Sequence, residues 1–145
     1  MFTIGVLLVV IMQMLQFSMN MIIPLLLQNG LKTSTFLSAL VLLPAILAIA
    51  IITPFVGKLY DKIGGKILVS TGFAMIFIFT LILSRITPQT SITTITILFC
   101  LICIGISLSM SPSQASALSK LSHAHQADGV AILNTAMQIA GAFGS

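Results

Sequence analysis

Charge is what this sequence has least of. Its 145 residues include six Lys or Arg and two Asp or Glu, so 6% of the chain is charged while 58% is hydrophobic. A soluble domain carries roughly a quarter charged residues, and a chain with so few cannot build a surface that faces water. The net charge of +4 forms no dense basic face, so nucleic acid is not expected as a partner. The composition predicts a chain surrounded by the lipid bilayer.

Basic residues are also missing from the amino-terminal segment. No Lys or Arg precedes Lys32, whereas a secretory signal begins with a basic region and has a shorter apolar stretch. The first apolar segment is therefore predicted to remain in the membrane as a helix.

Chemically reactive side chains are few. Cys100 and Cys103 lie within the apolar stretch "ITILFCLICIGISL" without a second ligand pair, which favours buried packing over metal or redox chemistry. His123 and His125 form an H-x-H without a third ligand evident nearby, so a solvated loop is favoured, with pH sensing as the alternative. The chain has no paired carboxylates, no H-E-x-x-H motif and no nucleophile with a base at membrane depth. Neither an enzyme nor a cofactor is expected.

The remaining residues form four long apolar runs and a fifth that reaches the last residue. Runs of about 20 residues cross a hydrocarbon layer of about 30 Å as helices, and helices satisfy their own backbone hydrogen bonds in lipid. The predicted fold class is all-α, a polytopic transmembrane helix bundle. Its spans are predicted at residues 2–27, 36–59, 67–86, 92–118 and 129–145. Because the fifth run has no polar exit before Ser145, we expect a chain that is cut inside a helix.

Half of the formal charge is gathered between the second and third spans, in "GKLYDKIGGK", residues 57–66. The charged residues there are Lys58, Asp61, Lys62 and Lys66. Lys58 suits the negative end of the second helix, and Asp61 suits the positive start of the third. Gly57 and Gly64 permit a tight turn and close helix contact. We predict a charge-locked corner, that is, a tight turn between the two helices held by its charged side chains. The alternative interpretation is a plain loop whose lysines only set the orientation of the chain in the membrane.

The basic residues also predict an orientation. If the amino terminus is cytoplasmic, the loops after spans two and four are cytoplasmic as well. Those loops carry Lys58, Lys62, Lys66 and Lys120, whereas the opposite loops carry only Lys32 and Arg85. Basic residues concentrate on the cytoplasmic side of membrane proteins, so the amino terminus is expected inside.

The charged segment resembles the cytoplasmic loop signature of the major facilitator superfamily, G-x-x-x-D-(basic)-x-G-(basic)-(basic). The matching residues are Gly57, Asp61, Lys62, Gly64 and Lys66. Gly65 departs from the pattern, because it stands where the family usually has a basic residue. The resemblance implies that Gly57, Lys58, Asp61, Lys62, Gly64 and Lys66 belong to a cytoplasmic gate rather than to a substrate site.

The flanking sequence narrows the resemblance. The stretch "PLLLQNGLKTSTFLSALVLLPAILAIAIITPFVGKLYDKIGGKILVSTGF" is similar to the second half of fourteen-helix drug:proton antiporters, and "ADGVAILNTAMQIAGAFGS" resembles a later helix of that half. This similarity implies about five spans of a six-helix, carboxy-terminal half in a bacterial plasma membrane. It further implies multidrug efflux by proton-coupled alternating access in the full-length protein. A non-transporting membrane scaffold or subunit, and an antiporter of another small molecule, are the alternatives.

Polar residues within two spans are the candidate substrate contacts. Gln13, Gln16 and Asn20 fall within an arc of about 60° on the first helix, and Ser107, Ser111 and Gln114 fall in a similarly narrow arc on the fourth. The resemblance implies that these two helices line the central cavity, where a lipophilic and often cationic molecule would bind. Four methionines could adapt to varied shapes there: Met12, Met14, Met19 and Met110. Hydrogen bonding between helices is the alternative for both stripes.

The fifth span carries a third polar stripe, formed by Asn134, Gln138, Gly141 and Ser145. The favoured interpretation is close helix packing, in which the amide side chains hydrogen-bond to neighbouring helices. Asp128 is expected to cap the start of this helix.

No Asp, Glu, Lys or Arg occupies the middle of a predicted span. If the full-length protein exchanges protons, its coupling carboxylate must lie in the missing remainder of the transporter.

Overall fold

The computed structural model describes residues 2–30, 32–87, 90–119 and 125–144. These residues form helices and short connections without a strand, so the predicted all-α class is confirmed. The helices are α1 (Phe2–Leu25), α2 (Thr35–Ile63), α3 (Gly65–Leu83), α4 (Ile92–Leu118) and α5 (Gln126–Gly144). A π-helical segment, Leu26–Gly30, continues α1 beyond Pro24.

Within the described ranges, four helices are long and apolar enough to cross a membrane. Their candidate spans are Thr3–Asn29, Thr35–Ile63, Gly65–Leu83 and Ile92–Leu118. Large apolar side chains on the outside of the bundle support a lipid-facing surface, since Phe36 is 76% exposed and Phe77 is 67% exposed. An apolar exterior of this kind is stable in lipid and aggregates in water.

The centre of the bundle is α4, which packs against α1, α2 and α3. No residue from Leu98 to Gln114 is exposed, and every residue in that stretch is buried or half-buried. The core runs along this helix. At one end Phe99 and Cys103 pack against Ile23 of α1 and Val41 of α2. Further along α4, Ile102 and Ile106 meet Met12 of α1 and Ile76 of α3.

The closest helix contact joins α3 to α4 through small residues. A Cβ added at Gly72 would collide with the Ser109 hydroxyl and come within 2.6 Å of the Gly105 carbonyl oxygen. The Ser109 hydroxyl donates a hydrogen bond of 3.2 Å to the Val69 carbonyl. Small residues allow backbones to approach in this way, so α3 and α4 form one tightly joined pair.

The two cysteines belong to the apolar core. Cys103 is buried and 4% exposed, Cys100 is half-buried, and both are free thiols. They pack in the cluster that contains Phe99 and Ile95, which agrees with packing as their predicted role.

Candidate functional site

The segment predicted as a loop between α2 and α3 is mostly helical. Helix α2 continues through the charged residues to Ile63, and α3 begins at Gly65. The predicted end of the second span at Leu59 was therefore too early. Lys and Leu are good helix formers, and they extend α2 beyond the apolar layer into the charged segment. A single residue, Gly64, separates the two helices.

Gly64 makes the corner possible through its backbone. Its φ of 85° and ψ of 150° lie in a region that is essentially restricted to glycine. Its N–H donates a hydrogen bond of 3.0 Å to the Tyr60 carbonyl and closes the end of α2. The same residue is the N-cap of α3. A side chain at this position would strain the turn that redirects the chain.

The structure explains why a glycine, Gly65, stands where the family signature has a basic residue. A Cβ added at Gly65 would lie 2.6 Å from Cε2 of the Tyr60 ring. The ring therefore occupies the space that a basic side chain would need in order to leave the backbone. Tyr60 and Gly65 form a steric contact across the corner.

The corner is tight, but ion pairs do not lock it. Lys58, Asp61, Lys62 and Lys66 are all exposed. In the described part of the chain, the carboxylate of Asp61 has no Lys or Arg nitrogen within 4.0 Å. The prediction of a charge-locked corner is wrong in this respect. Lys62 lies in the last turn of α2, where a cation suits the negative end of the helix dipole.

The polar stripes of α1 and α4 face a shared cavity. Gln13 and Gln16 from α1 and Ser107, Ser111 and Gln114 from α4 line a cavity of about 350 Å³, which α2 closes with Ile49 and Thr53. Asn20 lines an adjoining cavity of about 280 Å³ that shares Gln16 and Ile49 with the first. All six residues predicted from the sequence therefore border one of two neighbouring cavities.

Hydrogen bonding within the cavity wall is uneven. The Thr53 hydroxyl donates to the Ile49 carbonyl at 2.7 Å and lies 3.3 Å from the Ser107 hydroxyl. Gln114 Nε2 donates to the sulfur of Met137 on α5 at 3.4 Å, which is a weak bond. The buried Oε1 of Gln13 has no hydrogen-bond partner among the described residues. The hydroxyl pair is thus fixed, whereas the amides are held loosely.

Sequence reasoning missed the α2 side of the cavity. Thr53 is a single polar residue in an apolar helix, and a threonine hydroxyl is often satisfied by the carbonyl one turn earlier. The available signal was its placement directly before Pro54 in a membrane span. Of the four methionines considered as adaptable contacts, Met110 lines the cavity. Met12 and Met19 are buried in the core instead, and Met14 is exposed.

The polar stripe of α5 separates into two roles. Its small residues pack on α1, because a Cβ added at Gly141 would lie 3.1 Å from the Phe17 ring and the Ser18 hydroxyl donates to the Gly144 carbonyl at 2.7 Å. Asn134 and Gln138 are exposed. The prediction of close packing agrees with the structure. The exposed amides of Asn134 and Gln138, however, do not hold α5 against its neighbours among the described residues. Ser145 lies outside the described residues.

The polar segment before α5 offers no metal site in the part of the chain that the structure describes, where no group of three His, Cys, Asp or Glu could hold a metal ion. His125 Nδ1 lies 3.8 Å from Asp128 Oδ2, and both side chains are exposed. Asp128 stands in the first turn of α5, because the helix begins at Gln126 rather than at the predicted Gly129. His123 lies outside the described residues.

A larger cavity of about 560 Å³ lies near the corner, between α1, α3 and α4. Its wall includes Lys66 and Ser70 of α3, Leu8 of α1 and Ser116 of α4. The structure therefore places two residues of the charged segment, Gly65 and Lys66, beside this cavity.

Comparison with known proteins identifies the family. The family model of the Major Facilitator Superfamily matches residues 1–145, and the chain belongs to this superfamily. The resemblance carried by the segment at residues 57–66 is thereby confirmed. The four apolar helices and the family membership together make it an integral membrane protein.

Similar curated proteins share a name. A lincomycin resistance protein, LmrB, of Listeria innocua is 41% identical over 145 residues, which is all of this chain and 31% of that protein. The protein of the same name from Listeria monocytogenes is 40% identical with the same coverage. The one from Bacillus subtilis is 39% identical over all of this chain and 30% of its own length. No solved structure matches the chain significantly.

Gly64 at the corner and Gly57 inside α2 are expected to respond differently to replacement by alanine. Gly64→Ala is expected to lower the free energy of unfolding by about 1–3 kcal/mol, because alanine is strained at this φ and ψ. Gly57→Ala is expected to be neutral or stabilising by up to about 1 kcal/mol, since Gly57 is helical and a Cβ there would meet nothing within 4 Å. Denaturation of the purified protein in detergent measures both variants. Equal effects would contradict the assigned geometry of the corner.

Proposed function

We propose that residues 1–145 are part of a bacterial plasma-membrane exporter that moves a lipophilic small molecule outward by proton-coupled alternating access. The observation that carries this proposal is the convergence of polar residues from α1 and α4 on one cavity inside an apolar bundle. Polar side chains within membrane helices are costly and mark ligand or ion pathways. The name of the LmrB relatives, lincomycin resistance protein, supports an antibiotic such as lincomycin as the transported molecule.

The chemistry of the cavity suits a small organic molecule. Its wall combines amide and hydroxyl groups with apolar side chains, and none of the described lining residues carries a formal charge. An apolar pocket with a few placed polar groups is typical of small-molecule sites. Met110 adds a flexible, polarizable contact that adapts to ligand shape.

The corner at Gly64 supports a role in gating on the cytoplasmic side. Its exposed charges, Asp61 among them, have no ion-pair partner within the described residues. They are free to contact the rest of the transporter when the cytoplasmic side closes. The concentration of lysines in this segment favours a cytoplasmic position, with the amino terminus of the chain also inside.

Two parts of the proposed mechanism depend on sequence beyond these residues. The chain spans 31% of the Listeria relatives that it matches, and a transporter needs two helix bundles around a shared site. Asp61 and Asp128 lie near helix ends rather than at membrane depth. The carboxylate that carries the coupled proton is therefore proposed to lie in the remaining length.

Replacement of Gln16 tests the cavity directly, because Gln16 borders both adjoining spaces. Gln16→Leu in the full-length protein is expected to reduce lincomycin efflux about tenfold or more, since it removes amide hydrogen bonds and leaves ligand polar groups unpaired. Gln28→Leu makes the same change at an exposed position outside both cavities and is expected to retain efflux. Drug accumulation in cells, normalised to protein level, measures the difference. Efflux at the wild-type level by the Gln16 variant would show that the cavity does not lie on the transport path.

Asp61→Asn distinguishes the exporter from a non-transporting scaffold. The change keeps the size of the side chain and removes its charge, and Asp61 is exposed without an ion pair in this chain. The exporter proposal predicts reduced efflux at an unchanged protein level, because the gate loses a contact to the rest of the protein. Efflux assays with immunoblotting of the membrane fraction test this. Full efflux at normal expression would favour the scaffold.

A further inference from the structure

We infer that the cavity between α1, α2 and α4 selects ligands that donate hydrogen bonds, because Thr53 holds the Ser107 hydroxyl in an orientation that leaves it an acceptor toward the cavity. This inference rests on the proposed function, in which that cavity receives the transported molecule. It adds the hydrogen-bonding class of the ligand and a residue that sets this preference.

The direction of the bonds follows from counting protons. The Thr53 oxygen lies 2.7 Å from the Ile49 carbonyl oxygen. A carbonyl has no proton, so Thr53 is the donor in this bond. A hydroxyl has one proton to give, and that of Thr53 is committed to α2 itself.

The same count identifies the donor in the hydrogen bond between Ser107 and Thr53. The Ser107 oxygen lies 3.3 Å from the Thr53 oxygen, and the distance alone allows either hydroxyl to be the donor. Since the Thr53 proton is already used, Ser107 donates and Thr53 accepts. Ser107 is 6% exposed and lines the cavity, and it keeps two lone pairs as acceptors. Thr53 thus acts on a ligand through Ser107, as a positioning residue.

The rest of the wall includes groups that can act either as donors or as acceptors, such as the Ser111 hydroxyl. Among the described residues, no lysine or arginine lines the cavity, so this part of the chain supplies it with no fixed cationic donor. One N–H of Gln114 points to the sulfur of Met137 on α5. The Gln13 and Gln16 amides can turn to present either an oxygen or an N–H group. The hydroxyl pair of Thr53 and Ser107 is the part of the wall whose polarity is set by the helices.

A ligand that meets this wall well carries N–H or O–H groups, such as a protonated amine or a polyhydroxylated molecule. A ligand whose polar atoms are all acceptors, or whose cationic nitrogen is fully methylated, leaves the Ser107 oxygen without a partner. An acceptor left unpaired in a buried site costs binding free energy. The preference is for hydrogen-bond donors, independent of ligand charge.

The test uses two probes of equal charge, a lipophilic primary ammonium compound and its trimethylated quaternary counterpart. Each is measured for transport and for competition with the other, with the full-length protein in proteoliposomes. The wild type is expected to prefer the primary ammonium in apparent affinity by about fivefold to tenfold, the size of one typical hydrogen bond. Methylation alters lipophilicity as well, so the change in this ratio between variants is the deciding quantity.

Three variants assign the preference to the hydroxyl pair. Thr53→Val keeps the shape and removes the acceptor that orients Ser107, and Ser107→Ala removes the hydroxyl itself. Ser107→Ala is expected to lower the ratio about fivefold to tenfold relative to the wild type, whereas Thr53→Val leaves the Ser107 oxygen able to accept and is expected to lower the ratio by less. Thr53→Ser restores the oxygen and is expected to keep the wild-type ratio. Because the ratio does not depend on the amount of protein, partial loss of folded material leaves it interpretable.

The outcomes separate this inference from the proposed function. Transport of both probes with the same ratio in the wild type, Thr53→Val and Ser107→Ala would overturn the role of the hydroxyl pair and leave the exporter intact. A wild type that transports neither probe nor lincomycin would overturn the exporter, and this inference with it.

Discussion

The burial of α4 is the constraint on which the rest of the structure depends. This helix carries Ser107, Ser109 and Ser113, which are costly in contact with lipid, and from Leu98 to Gln114 none of its residues is exposed. One of these hydroxyls is satisfied by a neighbouring helix, since Ser109 donates to the Val69 carbonyl of α3 at 3.2 Å. Covering such a helix requires α1, α2 and α3 around it, and the cavity is the gap that this arrangement leaves between α1, α2 and α4.

The same arrangement explains how the corner can be separate from the cavity yet mechanically joined to it. Helix α3 meets α4 backbone to backbone at Gly72 and Gly105, whereas α2 reaches α4 through side chains, among them the hydroxyl of Thr53. Helices α2 and α3 are joined by the single turn at Gly64. A shift of α2 relative to the joined pair α3 and α4 would therefore move the corner and one wall of the cavity together. This coupling supports the proposal that the corner and the cavity take part in one transport cycle.

Sequence patterns predicted what depends on periodicity and composition. The apolar runs predicted the helices, and the narrow arcs on α1 and α4 predicted residues that do lie on neighbouring cavities. What the patterns could not predict depends on three-dimensional partners. The helical path through Lys58 to Ile63, the Tyr60 ring over Gly65, the absence of an ion pair at Asp61 and the part played by Thr53 are set by contacts that spacing does not encode. The exposed amides of α5 show the same limit, since an amide at helical spacing does not reveal which neighbour it meets.

A tryptophan scan measures most directly whether α4 is the central, protein-surrounded helix. Tryptophan would replace Ile102, Ile106 and Ser109 on α4, which are at most 2% exposed, and Phe77, Ile78 and Leu81 on α3, which are more than half exposed. Each α4 substitution is expected to reduce the folded, detergent-soluble protein sharply, because a larger side chain overfills a packed core at a cost of about 1–3 kcal/mol or more. The α3 substitutions are expected to be tolerated, since their side chains meet lipid. Equal tolerance at the α4 and α3 positions would contradict the account.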